Sequence, residues 1–99
     1  MIVSFANKGT EDVYNGVGSP SARRTCPSAL WPIARRKLDQ IESAPFLEDL
    51  RAPPGNRLER LRGNRRGQHS VRVNERYRIC FRWTSQGAEH VEIVDYHGR

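Results

Sequence analysis

Cysteine is scarce in this chain of 99 residues, which contains only Cys26 and Cys80. Neither belongs to a Cys-x-x-Cys pair, the spacing typical of redox-active and zinc-binding sites. The sequence therefore predicts two reduced thiols without a redox role. Because Cys80 stands between Ile79 and Phe81, we expect it to pack in the core as a small hydrophobic residue.

Long apolar runs are also missing. No stretch approaches the roughly 18 to 20 residues that a membrane-spanning helix needs. The first residues, MIVSFANKGTED, carry a Lys and two acids where a secretory signal has its apolar segment. We therefore expect a cytoplasmic protein that does not contact a membrane. This chain length favours a single domain over residues 1–99.

Spacings typical of metal or cofactor sites are not found either. His69, His90 and His97 form no His-x-x-x-His pattern and have no Asp-rich neighbourhood. No elbow motif surrounds a Ser or Cys nucleophile, and no Gly-rich loop is suited to cradling a phosphate. The sequence predicts neither a metal nor a cofactor. We assign His69 and His90 to the surface of a sheet.

Positive charge is plentiful and concentrated in one part of the chain. Residues 51–82 contain ten Arg and two acids, a balance of +8, so the rest of the chain sums to −2 and the total is +6. Guanidinium groups bind phosphate oxygens in a bidentate manner, which favours a polyanionic partner such as nucleic acid. A solvated basic face is an equally good interpretation of charge alone.

The first half of the chain has the pattern of a strand followed by helices. Alternating apolar residues predict a strand over residues 1–5, and residues 11–14 predict a brief helix that stops at Asn15 and Gly16. Residues 17–28, rich in Pro and Ser, are expected to form a loop. Apolar residues then recur at helical spacing over Trp31–Ser43, which indicates an amphipathic helix.

The second half alternates with a period of two, as strands do. Residues 70–74 alternate through Val71 and Val73, residues 79–83 follow the same period, and Val91 and Ile93 continue it after a turn. We predict an α+β fold. An N-terminal strand and two or three helices pack on a curled antiparallel sheet of three to four strands.

Arginines fill the alternate positions of these strands. The alternation directs Arg72, Arg78 and Arg82 away from the face that the helices cover. The loop of residues 63–67 is either a hairpin turn with solvated charges or a contact for phosphate. The residues predicted to bind RNA or the ribosome are Lys8, Arg35, Arg36, Lys37, Arg57, Arg60, Arg65, Arg66, Arg72 and Arg82.

Groups that can move protons gather at the end of the chain, where Asp95, Tyr96 and His97 are consecutive. Cutting RNA without a metal requires a base for the ribose 2′-OH, cations for the phosphate and an acid for the leaving oxygen. Tyr96 is suited to stacking on a nucleotide. The predicted catalytic residues are Arg62 and Arg78 as phosphate clamps, Glu59, Asp95 or His97 for proton transfer, and Tyr96. The alternative interpretation of the C-terminal trio is that they are ordinary surface residues.

Five ordered motifs resemble the HigB-type toxins of the RelE superfamily, also called plasmid-maintenance killer proteins. They are PPGNRLE at residues 53–59, LRGNR at 61–65, GQHSVRVN at 67–74, YRICFRW at 77–83 and VEIVDYH at 91–97. The resemblance is dense over the C-terminal half. It is looser at the N-terminal MIVSF and near residues 39–50.

The resemblance implies a microbial-RNase-like fold and a ribosome-dependent endoribonuclease that cleaves messenger RNA in the A site. It also implies a cognate HigA-like helix-turn-helix antitoxin. The toxin would then contact operator DNA only indirectly, through this antitoxin. By motif, Arg62 matches the basic position after the Leu, Arg78 the phosphate-stabilising Arg, and Asp95 to His97 the active-site tail. Glu59 stands where some relatives have His, which leaves Glu59, Asp95 and His97 all eligible as the general base.

A rival hypothesis comes from a different functional class. The chain would then be a non-catalytic RNA- or DNA-binding module, or an inactive toxin that acts as co-repressor with a helix-turn-helix antitoxin. A nuclease that cuts free RNA is a third hypothesis, and it predicts cleavage without ribosomes.

Overall fold

The computed structural model describes residues 1–96, in which helices pack on one face of a four-stranded antiparallel sheet with strand order β1-β2-β3-β4. The expected α+β architecture is confirmed. The elements are α1 (Lys8–Asn15), α2 (Pro20–Thr25), α3 (Trp31–Ser43), β1 (Glu59–Arg60), β2 (His69–Arg72), β3 (Tyr77–Thr84) and β4 (Gly87–Asp95).

Helix α3 forms where the apolar periodicity predicted it. Its buried residues, Ala34, Leu38 and Ile41, follow one another at spacings of four and three and face the core. Pro32 lies in the first turn, where its missing N–H removes no helical hydrogen bond. The helix is thus defined by one apolar stripe packed against the sheet.

The expected loop of residues 17–28 was wrong, because it contains helix α2. Ser19 caps this helix, since its Oγ accepts a hydrogen bond of 3.0 Å from the Ala22 N–H. Pro20 occupies the first turn and does not break the helix. A Cβ at Gly9 of α1 would collide with Thr25 Oγ1 at the end of α2. The small Gly therefore lets α1 and α2 approach, so tertiary contact supports a helix too short to form alone.

The sheet has one apolar face and one polar face. Val71, Ile79 and Ile93 are paired in register and belong to the hydrophobic core beneath the helices. Arg78 lies beside Ile79 on β3 and therefore emerges on the opposite side, which we call the outer face. It is paired there with Arg72, as the alternation predicted.

The N-terminal segment lies along the far edge of the sheet, parallel to β4. It forms two isolated bridges, Ile2 to Ala88 and Phe5 to Val91, in place of a continuous strand ladder. Between them His90 has a positive φ of 53°, and its N–H donates 2.9 Å to the Ser4 hydroxyl. This local irregularity in β4 explains why the expected strand is interrupted.

Both cysteines are free thiols, as the sequence predicted, and both are buried, which the sequence had led us to expect only for Cys80. Cys26 belongs to the helix-side core, whereas Cys80 is paired with Ser70 and Glu92 on the outer face. The expected burial of Cys80 is confirmed, but its surroundings are polar and not the apolar core. None of the helices within residues 1–96 has the length and apolarity needed to cross a membrane.

Candidate active site

Arg78, near the start of β3, is held by three oxygens. Its Nε donates to Ser70 Oγ at 2.7 Å, and its Nη2 donates to the Arg57 carbonyl at 2.7 Å and to the Ser70 carbonyl at 3.4 Å. The side chain is only 11% exposed. Strand pairing supplies Ser70, and the loop before β1 supplies Arg57. The guanidinium is therefore oriented before any ligand arrives.

Two other predicted site residues lie next to this guanidinium. Glu59 Oε1 is 3.7 Å from Arg78 Nη2, and 55% of the Glu59 side chain is exposed. The Arg78 Cζ lies 6.0 Å from the centre of the Tyr96 ring. The structure thus brings together a cation, a solvent-accessible carboxylate and an aromatic ring that the sequence had separated by up to 37 positions (59 to 96).

These three residues border a cavity of about 480 Å³, which falls within the range of ligand pockets. Its walls combine guanidinium and carboxylate groups, so it favours a ligand with both acidic oxygens and hydroxyl donors. The lining residues are Arg57, Glu59, Arg72, Asn74, Glu75, Arg78 and Tyr96.

A second cavity, of about 770 Å³, also borders Tyr96. Arg62 and Asp95 line this cavity and do not line the one that contains Arg78. Tyr96 is the residue that both cavities share. The predicted catalytic set is therefore divided into two neighbouring groups. The lining residues are Arg62, Gly63, Asn64, Arg65, Gln68, Val94, Asp95 and Tyr96.

Asp95 is engaged in an ion pair. Arg76 Nε lies 3.1 Å from both carboxylate oxygens, and Arg76 Nη2 lies 2.9 Å from Oδ2. The hydrogen bond with Asp95 raises the pKa of Arg76. Glu59 is thus the predicted proton acceptor that lies at the Arg78 guanidinium, whereas Asp95 lies at Arg76. His97 falls outside the described residues.

The predicted RNA-binding cations differ in how much their charge is exposed. Arg65 is partly buried and donates to Gln68 and Glu92, at 3.1 and 3.2 Å. Lys37 donates to the side chain of buried Asn56, and burial lowers the pKa of this lysine. Arg72 is also partly buried, and Lys8 is exposed but paired with Asp12 at 3.3 Å. The remaining predicted cations are all exposed: Arg35, Arg36, Arg57, Arg60, Arg66 and Arg82.

Several residues of the site were missed by sequence reasoning. Ser70 and the Arg57 carbonyl hold Arg78, and Arg76 holds Asp95. The alternation of β2 could have placed Ser70 on the same face as Arg72. Only the strand register, however, sets Ser70 next to Arg78. Within residues 1–96, no three His, Cys, Asp or Glu side chains cluster in a way that would hold a metal ion.

The chain matches known proteins over nearly its whole length. Residues 3–97 match the family model of the HigB-like toxin, described as a RelE-like toxin of the type II toxin–antitoxin system HigB. Toxin HigB-1 of Vibrio cholerae is 40% identical over 83 residues, which cover 84% of each chain. An uncharacterized protein of Haemophilus influenzae is 40% identical over 67 residues, or 68% of this chain and 66% of that protein. The chain therefore belongs to the HigB-like family of RelE-like toxins of type II toxin–antitoxin systems.

Proposed function

We propose that this protein is a ribosome-dependent endoribonuclease that cleaves messenger RNA in the A site and thereby inhibits translation. Its membership of a type II toxin family supports a toxic activity. The observation that carries the proposal is the pre-oriented Arg78 guanidinium beside Glu59 and Tyr96. Such an arrangement suits a reaction in which negative charge develops on a phosphate.

Arg78 would bind a non-bridging oxygen of the scissile phosphate. Its fixed hydrogen bonds to Ser70 and Arg57 mean that little reorganisation is needed as the pentavalent phosphorane forms. A pre-positioned cation stabilises the transition state more than a mobile one, because its ordering does not cost free energy during the reaction. Arg62, from the second cavity, would supply additional positive charge.

Glu59 is our proposed general base. Its carboxylate takes the proton of the ribose 2′-OH, and the 2′ oxygen forms a bond to phosphorus. The bond between phosphorus and the 5′ oxygen breaks, and His97 donates a proton to that leaving oxygen. The products are a 2′,3′-cyclic phosphate and a 5′-hydroxyl, and no metal takes part. Asp95 is the competing group for either proton transfer, but it would first have to separate from Arg76.

Tyr96 would hold the RNA across the two cavities. Tyr96 lines both, so a base stacked on its ring would place one nucleotide near Arg78 and the next near Arg62. Stacking on an aromatic ring contributes roughly 1–3 kcal/mol per base and tolerates any base. The exposed cations Arg35, Arg36, Arg60, Arg66 and Arg82 would dock on ribosomal RNA.

A toxin of a type II system has an antitoxin as its partner. We propose a HigA-like antitoxin with a helix-turn-helix domain, which would carry the contact with operator DNA. A ribosomal substrate would also place the toxin in the cytoplasm.

In vitro translation of a defined message tests the proposal. Purified protein is added with and without ribosomes, and new 5′ ends are mapped by primer extension. We expect cuts inside the reading frame that appear only when ribosomes are present. Equal cutting of free RNA would indicate a general nuclease, whereas an intact message together with tight RNA or antitoxin binding would favour the non-catalytic module.

A further inference from the structure

Asn56 is a fully buried polar residue at the end of the short 3₁₀ turn Pro54–Asn56, in the segment that precedes β1. Its Nδ2 lies 3.1 Å from the Leu50 carbonyl, 3.2 Å from the Ala52 carbonyl and 3.0 Å from Gln40 Oε1. Its Oδ1 accepts from the ammonium group of Lys37. Carbonyls only accept and ammonium only donates, so the orientation of the amide is fixed by its neighbours.

The next residue connects this buried amide to the candidate active site. Arg57 has a positive φ of 46°, and its N–H donates 3.1 Å to the Pro54 carbonyl. In this conformation the Arg57 carbonyl accepts the 2.7 Å hydrogen bond from Arg78 Nη2. A backbone oxygen can hold a guanidinium only if its own loop is held, and Asn56 supplies the side-chain bonds that hold this loop.

We propose that Asn56 is a positioning residue for Arg78. Its buried amide ties the loop of residues 52–57 to α3 and to the Leu50 carbonyl, and the tied loop presents the Arg57 carbonyl to the Arg78 guanidinium. The effect on RNA cleavage rests on the proposed function. The effect on the geometry of Arg78 does not.

The substitution Asn56→Asp tests the amide with little change in volume. It keeps an oxygen for Lys37 but replaces the Nδ2 donor with an acceptor, which would face the carbonyls of Leu50 and Ala52. Acceptors that face each other without a proton repel, and a buried carbonyl without a donor is destabilising. The loop should therefore move away, and the Arg57 carbonyl should move with it.

The primary measurement is the NMR signal of the Arg78 Nη2 protons in the full chain, because Nη2 is the atom that donates to the Arg57 carbonyl. In the unmodified protein we expect a dispersed resonance that exchanges slowly with water. Asn56→Asp should broaden this resonance or accelerate its exchange at least tenfold. Thr10→Val is the matched control, because Thr10 is also fully buried and its Oγ1 accepts from the Ile93 N–H at 3.0 Å. An unchanged Arg78 signal in folded Asn56→Asp would overturn the proposal.

A second pair of variants covers the case in which Asn56→Asp does not fold. Arg57→Gly and Arg57→Val both remove the exposed guanidinium, but only Val strongly disfavours the positive φ that residue 57 adopts. The Arg78 Nη2 protons, which donate to the Arg57 carbonyl, should therefore remain protected with Gly and lose protection with Val. Equal protection in the two variants would contradict the proposed link.

Cleavage kinetics then show whether the position of Arg78 matters for the reaction. Asn56→Asp should lower the single-turnover rate at saturating ribosomes by roughly 10- to 100-fold, with an unchanged half-saturating ribosome concentration. In an Arg78→Lys background it should have little further effect, because both changes act through the same guanidinium. Additive losses would indicate a general structural role and overturn the proposal. If the unmodified protein cuts nothing while the NMR result holds, the proposed function fails and the positioning role stands.

Discussion

At the centre of the sheet both faces are buried, but by different means. On the helix-covered face, Val71 and Ile79 are 1% and 0% exposed and are surrounded by apolar side chains. On the outer face, the adjacent residues Ser70 and Cys80 are both 0% exposed. The Ser70 hydroxyl accepts a hydrogen bond there from Arg78. One face is sealed by hydrophobic packing and the other by directed polar contacts.

This difference determines what each face can do. Apolar packing is not directional and stabilises the fold in proportion to buried area. A buried polar group must instead find a partner at a defined angle and distance, so a polar layer fixes the direction of its charges. Glu92 and Arg65 form such a contact at 3.2 Å on the outer face. The outer face can therefore hold a guanidinium in one fixed orientation, which the helix-covered face cannot.

The largest effect is expected from removing the fixed cation of the outer face. Arg78→Ala should lower ribosome-dependent cleavage by roughly 10²- to 10³-fold, because it removes stabilisation of charge that develops in the transition state. The far-UV circular dichroism spectrum should stay unchanged. Gln86→Ala, at an exposed turn position, is the control and should cleave normally. Full growth arrest by Arg78→Ala in cells would show that the site is assigned wrongly.

A smaller loss of cleavage is expected at Tyr96, whose proposed role depends on its aromatic ring and not on a charge. Tyr96→Ala should lower cleavage by roughly 10- to 100-fold through lost stacking, whereas Tyr96→Phe should retain most of the activity. Cleavage rates measured for Tyr96→Ala and Tyr96→Phe on the same mRNA-programmed ribosome complex would distinguish the two variants. An equal loss in both variants would instead assign a function to the phenol hydroxyl.

A smaller effect, on stability alone, is expected one residue further along β3. Ile79→Val removes a methyl group from the helix-covered face and should lower the free energy of unfolding by about 0.5–1.5 kcal/mol. Cleavage well below the melting temperature should change less than twofold. Denaturant unfolding and the cleavage assay, run on Ile79→Val and Arg78→Ala together, would separate the two faces. A large loss of cleavage in Ile79→Val would contradict the expectation that the helix-covered face affects stability alone.

The smallest effect is expected on the pH dependence of stability, through the two thiols that lie on opposite sides of the sheet. Burial raises the pKa of Cys26 and of Cys80 to about 11, from an ordinary value of 9.0. The unfolded thiols ionise at lower pH than the folded ones, so stability should fall as pH rises from about 9 to about 11. Chemical denaturation across this range measures the slope. A double Cys26→Ser, Cys80→Ser variant should lose that part of the pH dependence.

Sequence reasoning succeeded where a single periodicity is sustained. The apolar stripe of α3 and the alternation around Val71 and Ile79 fixed both the helix and the orientation of Arg72 and Arg78. It failed at α2, where six residues hold a helix because α1 lies against them. Local propensity cannot anticipate such support, since short helices depend on tertiary packing.

The sequence by itself determined the class of fold, the family and the identity of the charged groups, because these follow from local patterns and ordered motifs. Only the tertiary structure decided which groups act on one another. Strand register places Ser70 beside Arg78, and Asp95 is paired with Arg76. The buried Asn56 holds the segment whose Arg57 carbonyl accepts from Arg78. Hydrogen bonds and ion pairs tolerate deviations of only a few tenths of an ångström in the separation of their atoms, and that separation is fixed only when distant segments pack together.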